Sequence, residues 1–139
     1  MKRSVTMFAA LATLATAVPA NATAPVEGFW RSPKSTIVIH IAPCGPQLCG
    51  TVTWANARAK QNAARHEPHL VGARLLTGLK GGPSRYSGSV WIPDQDIHAT
   101  AKVQVLSQRS LQVSGCVFFG LLCKSQVWPR VDGPTLAER

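Results

Sequence analysis

Aromatic side chains are scarce in this sequence, with a single Tyr, four Phe and four Trp in 139 residues. With that supply and no recognised nucleic-acid motif, a nucleic-acid ligand is the weakest of the binding classes. Acidic residues are scarcer still, 6 Asp and Glu against 15 Lys and Arg, so the formal net charge is +9 with His neutral. The sequence also lacks a nucleophile elbow, a phosphate-binding glycine loop and a metalloprotease helix, the compact motifs that mark common hydrolases and nucleotide enzymes. It contains no internal repeat. Only 15% of the residues are charged while 45% are hydrophobic, a balance that excludes a disordered chain and supplies a core. The length admits one domain and excludes a multidomain enzyme.

The first 22 residues have the layout of a secretory leader. Met1, Lys2 and Arg3 make a basic start, Val5 to Val18 is apolar or small, and Ala20-Asn21-Ala22 offers small residues at −3 and −1. Cleavage after Ala22 leaves a domain of residues 23–139 carrying roughly +7. The apolar stretch falls short of the roughly 20 residues a membrane helix needs, and no later segment is longer. Export to the periplasm or the exterior is therefore expected, without an integral membrane anchor.

Four cysteines in an exported chain suggest two disulfides, and three connectivities are formally open. Spacing favours local bridges. Cys44 and Cys49 flank Gly45-Pro46-Gln47-Leu48, a turn between two β-like runs, and Cys116 and Cys123 flank Val117 to Leu122 with Gly120 inside. Such small loops are worth about 2 to 2.5 kcal/mol each in the chain-entropy account. Zinc is disfavoured because the short knuckle spacing is not met.

With 11 Gly and 10 Pro between short β-branched runs, the pattern favours an all-β fold. Strands are expected at Phe29 to Arg31, Thr36 to Ile41, Leu48 to Trp54, Arg74 to Leu79, Tyr86 to Ile92, His98 to Val105, Ser110 to Cys116 and Leu122 to Trp128. Tyr86 to Trp91 and Ala99 to Val105 alternate apolar or small with polar residues, as strands with one wet face do. About eight sequential antiparallel strands suit an up-and-down barrel, with a disulfide-pinned sandwich as the alternative. The Ala-rich, basic stretch from Ala55 to Val71 has no convincing apolar stripe and ends at Glu67-Pro68, so it is expected as a long loop with a helical turn.

Gly28-Phe29-Trp30 near the start and Trp128-Pro129-Arg130 near the end carry a barrel-closing signature. In a small barrel of the lipocalin type, which this spacing resembles, a first-strand Trp is expected to plug one end, with Gly28 letting the backbone pass closely and Arg130 stacking on the indole for about 0.5 to 2 kcal/mol. The order of landmarks extends this signature: Pro43-Cys44-Gly45, Leu48-Cys49-Gly50, Trp54, Gly72, Leu79-Lys80, Tyr86-Ser87-Gly88, Leu111 to Cys116 and Gln126-Val127-Trp128. Taken together they resemble the bacterial exported family catalogued as domain of unknown function 2147, over about Pro25 to Val131. The resemblance implies a lipocalin-like barrel with a pocket for a small apolar molecule and no established catalytic activity. Two departures stand out: the segment before Leu75 is basic rather than Asp- and Asn-rich, and Trp91-Ile92-Pro93-Asp94 replaces a Tyr-Asp-Pro turn.

The expectation is thus a non-enzymatic, cofactor-free exported barrel that takes an apolar ligand such as an acyl chain. Its pocket is expected to use Trp54, Leu76, Val90, Trp91 and Val103, with Gly28, Trp30 and Arg130 closing the other end. The rival is an envelope interaction module, binding an anionic component or a protein through the Cys44 to Cys49 hairpin or through a basic patch of Arg58, Lys60, Arg65, Arg74, Lys80 and Arg85. His66-Glu67-Pro68-His69 holds three donor side chains, but Pro68 disfavours the helix that would align them on a metal. His40 faces outward if Ile39 and Ile41 face in, His98 has the pattern of an exposed imidazole, and Asp94 and Asp96 are explained by a turn. The sequence leaves the oligomeric state open.

Overall fold

The computed structural model describes residues 24–117 and 120–136, besides Ala12 and Leu14; the leader expected over residues 1–22 otherwise lies outside the described residues. Eight antiparallel strands follow one another around a closed barrel: β1 (Gly28–Arg31), β2 (Ile37–Cys44), β3 (Gln47–Ala55), β4 (Arg74–Gly81), β5 (Arg85–Ile92), β6 (Ile97–Ser107), β7 (Ser110–Val117) and β8 (Leu122–Val131). Closure comes from β1 pairing with β8, where Trp30 lies opposite Arg130, so the sandwich alternative does not apply. Each strand is joined to the next by a short turn, except that α1 (Ala57–Ala63) lies between β3 and β4.

Alternation sets what faces the lumen. Ile39 pairs with Val52, Ile41 with Gly50, Tyr86 with Val103, Val90 with Ala99, and Leu111 with Trp128, which puts one continuous apolar set inside. The opposite parity carries Ser87, Ser89, Thr100, Lys102, Ser114 and Ser125, and the last two hydroxyls bond across strands at 2.7 Å. This is a water-facing wall around an apolar interior, the reverse of the arrangement in a lipid-embedded barrel. Among the described residues no helix is long and apolar enough to cross a membrane.

Two irregularities keep the inner face apolar. In β4, Gly78 takes φ +62°, a left-handed conformation that glycine adopts without cost, and the register shifts there between Thr77 and Lys80. The extra residue lets Leu76 and Leu79 both point inward and both be buried. In β3 a bulge opposite Val38 and Ile39 moves the alternation by one, so that Ala55 rather than Trp54 joins the inner set.

The segment expected as a loop holds a capped helix of seven residues. Asn56 is its N-cap, with φ −76° and ψ 170°, and its Oδ1 accepts the Ala59 amide at 2.8 Å. The helix packs through alanines, Ala63 being buried and Ala59 partly so, which is why no conventional apolar stripe marks it. Cys44 bonds to Cys49 at one end of the barrel and Cys116 to Cys123 at the other.

Candidate functional site

The two ends of the barrel are built differently. At the end where β1 begins and β8 finishes, Trp30 is fully buried and its indole N–H donates to the Val26 carbonyl at 2.9 Å. The Arg130 guanidinium lies 4.1 Å above the indole centroid. It is anchored on three carbonyls, donating from Nη1 to Glu27 (2.8 Å), from Nη2 to Pro25 (2.7 Å) and from Nε to Gln108 (2.6 Å). Gly28, at φ +131°, passes so close beneath that a Cβ there would collide with Arg130 Nη1. Burial lowers the Arg130 pKa from its ordinary value. Ile41, Leu79, Tyr86, Val103 and Leu111 fill the lumen above this plug.

The other half of the lumen is open. A cavity of about 1040 Å3 runs from the mouth, where β2 begins and β5 ends, down to a floor of Ile39, Leu76 and Trp128. Its wall uses Val90, Ala99, Val113 and Gly115. Ala99 and Gly115 explain the space: a Cβ added at Gly115 would meet Val90 Cγ1 only at 3.6 Å and the Ala99 Cβ at 4.0 Å. Small residues on adjacent inward positions of β6 and β7 leave unfilled what Val103 and Leu111 fill further along the same strands. The lid side is α1, which borders the cavity through Asn56, Ala59, Asn62 and Ala63. His66, just beyond α1, reaches the β5–β6 turn, its Nδ1 lying 2.8 Å from the Pro93 carbonyl oxygen. Around the mouth Lys34, Arg58 and Lys124 line the cavity against one carboxylate, Asp94, and Gln126 on the wall accepts the Trp128 indole N–H at 3.3 Å.

Of the five pocket residues expected from sequence, Leu76 lies on the cavity floor and Val90 on its wall. Trp91 touches only its rim: it pairs with His98 on the outward parity, stacks on that imidazole at 6.0 Å and donates to Asp96 Oδ1 at 2.9 Å. Trp54 and Val103 border no part of the cavity. The bulge in β3 pairs Trp54 with Val38 on the outer parity, and Val103, 1% exposed, belongs to the filled half.

The six basic residues do not form one patch. Arg58, Lys60 and Arg65 are on or just after α1 and Arg74 starts β4, all at the mouth, whereas Lys80 and Arg85 flank the β4–β5 turn at the plugged end. Antiparallel strands send successive turns to opposite ends, and proximity in sequence hid that. His40 alternates outward and stacks on Phe29 at 4.4 Å, and Asp96, at φ +50°, serves its turn. Among the described residues no group of three or more His, Cys, Asp or Glu is placed to hold a metal ion.

Residues 28–130 match the model of the family described as "Uncharacterized protein conserved in bacteria (DUF2147)". The chain belongs to this family. The DUF2147 match spans β1 to all but the last residue of β8, from the glycine beneath the plug to the arginine above it. A Helicobacter pylori structure described as "Protein HP1028 from the human pathogen Helicobacter pylori belongs to the lipocalin family" is similar in fold. Its TM-score is 0.59 at 15% identity, over 79% of this chain and 85% of that one. No match is found among curated proteins. The fold of this DUF2147 member is thus a lipocalin-like barrel. Sequence reasoning missed Ala99, Gly115, Gln126 and Lys124 as its cavity residues. The usable signal was the inward parity of small residues on neighbouring strands, where attention to aromatics pointed elsewhere.

Proposed function

We propose that the barrel is a non-enzymatic carrier or sensor of a small amphiphile, with an acyl-like chain in the cavity and a polar head at the mouth. The observation that carries this reading is a half-open lumen: about 1040 Å3 above an apolar floor of Ile39, Leu76 and Trp128, at the upper end of the usual ligand-pocket range of about 300 to 1000 Å3. A chain entering it covers apolar surface at roughly 25 cal/mol per Å2. Lys34, Arg58 and Lys124 favour an anionic head over a neutral one. Two disulfides suit an oxidising compartment, in keeping with the leader expected over residues 1–22 and a single exported domain after it.

The test is titration of delipidated protein with a fluorescent fatty acid, competed by dodecanoate and by dodecanol. Saturable binding that Ala99→Phe abolishes, with the melting transition retained, supports the cavity. Wild-type protein that takes up neither probe nor competitor rejects it. Lys124→Met should weaken dodecanoate by at most about fivefold, since an exposed charge pair contributes about 1 kcal/mol or less, and should leave dodecanol unchanged.

A further inference from the structure

The large apolar side chains left in water are unevenly placed. Beyond Leu14, seven are found among the described residues, and five of them stand at the cavity mouth: Val71, Ile92, Ile97, Leu121 and Leu122. Ile92 and Ile97 face each other across the base of the β5–β6 turn, Leu121 lies in the β7–β8 turn, and Leu122 opens β8 opposite Val117. Leu121 is 88% exposed and Leu122 54%. One exposed leucine needs no explanation, but a group around an opening marks a contact surface. In sequence, the six residues between Cys116 and Cys123 are Val, Phe, Phe, Gly, Leu and Leu, without one polar side chain. The disulfide across Cys116 and Cys123 fastens the neck of this hairpin.

Charge decides the partner. Lys34, Arg58, Lys60, Arg65 and Lys124 stand at the same end and outnumber the carboxylates of Glu67, Asp94 and Asp96. We propose that this end docks on an anionic lipid bilayer, with the Leu121 tip entering the interfacial layer and the surrounding cations meeting phosphate head groups. An exposed apolar side chain at Leu121 with long cations at the same end matches a lipid interface, where apolar depth and surface charge act together. The opening of the cavity is at this same end, bordered by Lys34, Arg58 and Lys124, so an acyl chain would pass between leaflet and lumen without crossing bulk water. This goes beyond the ligand reading, and vesicle binding itself does not require it.

The protein with both disulfides intact is sedimented with vesicles of phosphatidylcholine alone and of phosphatidylcholine mixed with phosphatidylglycerol. Preferential binding to the mixed vesicles, weakening as salt rises, is expected. Leu121→Asp, at a side chain outside the cavity lining, should reduce it about tenfold or more. Lys60→Glu with Arg65→Glu should reduce it and flatten its salt dependence. Absence of wild-type binding to the mixed vesicles overturns the proposal, as does undiminished binding by Leu121→Asp; a partner that is a protein produces the first of these. Uptake of a soluble fluorescent fatty acid, measured without vesicles, separates the two readings. Docking without uptake removes the ligand reading alone, and uptake without docking removes the membrane proposal alone.

Discussion

Gly28, Trp30 and Arg130 interlock so tightly that each restricts the others. Adding one methyl at Gly28 both demands an L-residue at φ +131° and drives its Cβ into the Arg130 guanidinium. Gly28→Ala should therefore cost about 2 kcal/mol or more, read as a lowered denaturant midpoint with an unchanged slope. A second residue-scale effect concerns Tyr86, whose hydroxyl donates to the Pro83 carbonyl at 3.1 Å. Burial first, and the Glu27 carboxylate second, raise its pKa above the ordinary phenol value. The neutral phenol is thus favoured by folding, the associated stability is complete below about pH 10, and it falls as pH rises through the raised value. Tyr86→Phe should remove this alkaline decline, seen by comparing denaturant midpoints at neutral pH and above pH 10. The sequence pointed to Gly28, Trp30 and Arg130 through a lipocalin-type spacing, in which a glycine passes close, an indole plugs and an arginine stacks. Trp54 was not legible, because its direction depends on a bulge that alternation alone does not announce.

At the scale of elements, the strands could be read from β-branched runs and turn residues, and all eight form in the predicted order. The helix was harder to see. Its buried face is alanine, and its start rests on the single side chain of Asn56. Asn56→Ala should cost about 1 kcal/mol locally, measurable as faster hydrogen exchange at the α1 amides. The hairpins show an intermediate case, in which spacing favoured local bridges among three open connectivities and the fold settles them: six residues separate Cys116 from Cys123, and four separate Cys44 from Cys49. Replacing Cys116 and Cys123 together by Ala should lower stability by about 2 to 2.5 kcal/mol while leaving the strand content of the far-ultraviolet spectrum intact. Chain direction was the missing ingredient for the basic residues. Lys80 and Arg85 close a turn at one end of the barrel, and the α1 cations stand at the other.

For the whole molecule, the barrel divides into two halves along its axis. The plugged half, built on Trp30, Ile41, Tyr86, Val103 and Leu111, is filled by side chains, and the open half, built around Ala99 and Gly115, leaves room above Trp128. Side-chain size on the inward parity sets where one half ends and the other begins. Enlarging Gly115 to Leu should fill the cavity and weaken ligand uptake, while the same increase at Val103 should lower stability by about 1 to 3 kcal/mol through overpacking. The most direct measurement of the central claim is a native mass spectrum of the oxidised protein taken from its own cells, before and after solvent extraction. An extractable mass excess that the Gly115→Leu protein lacks is the predicted result. A bare mass in the wild type, with no uptake from an amphiphile library, would contradict the account.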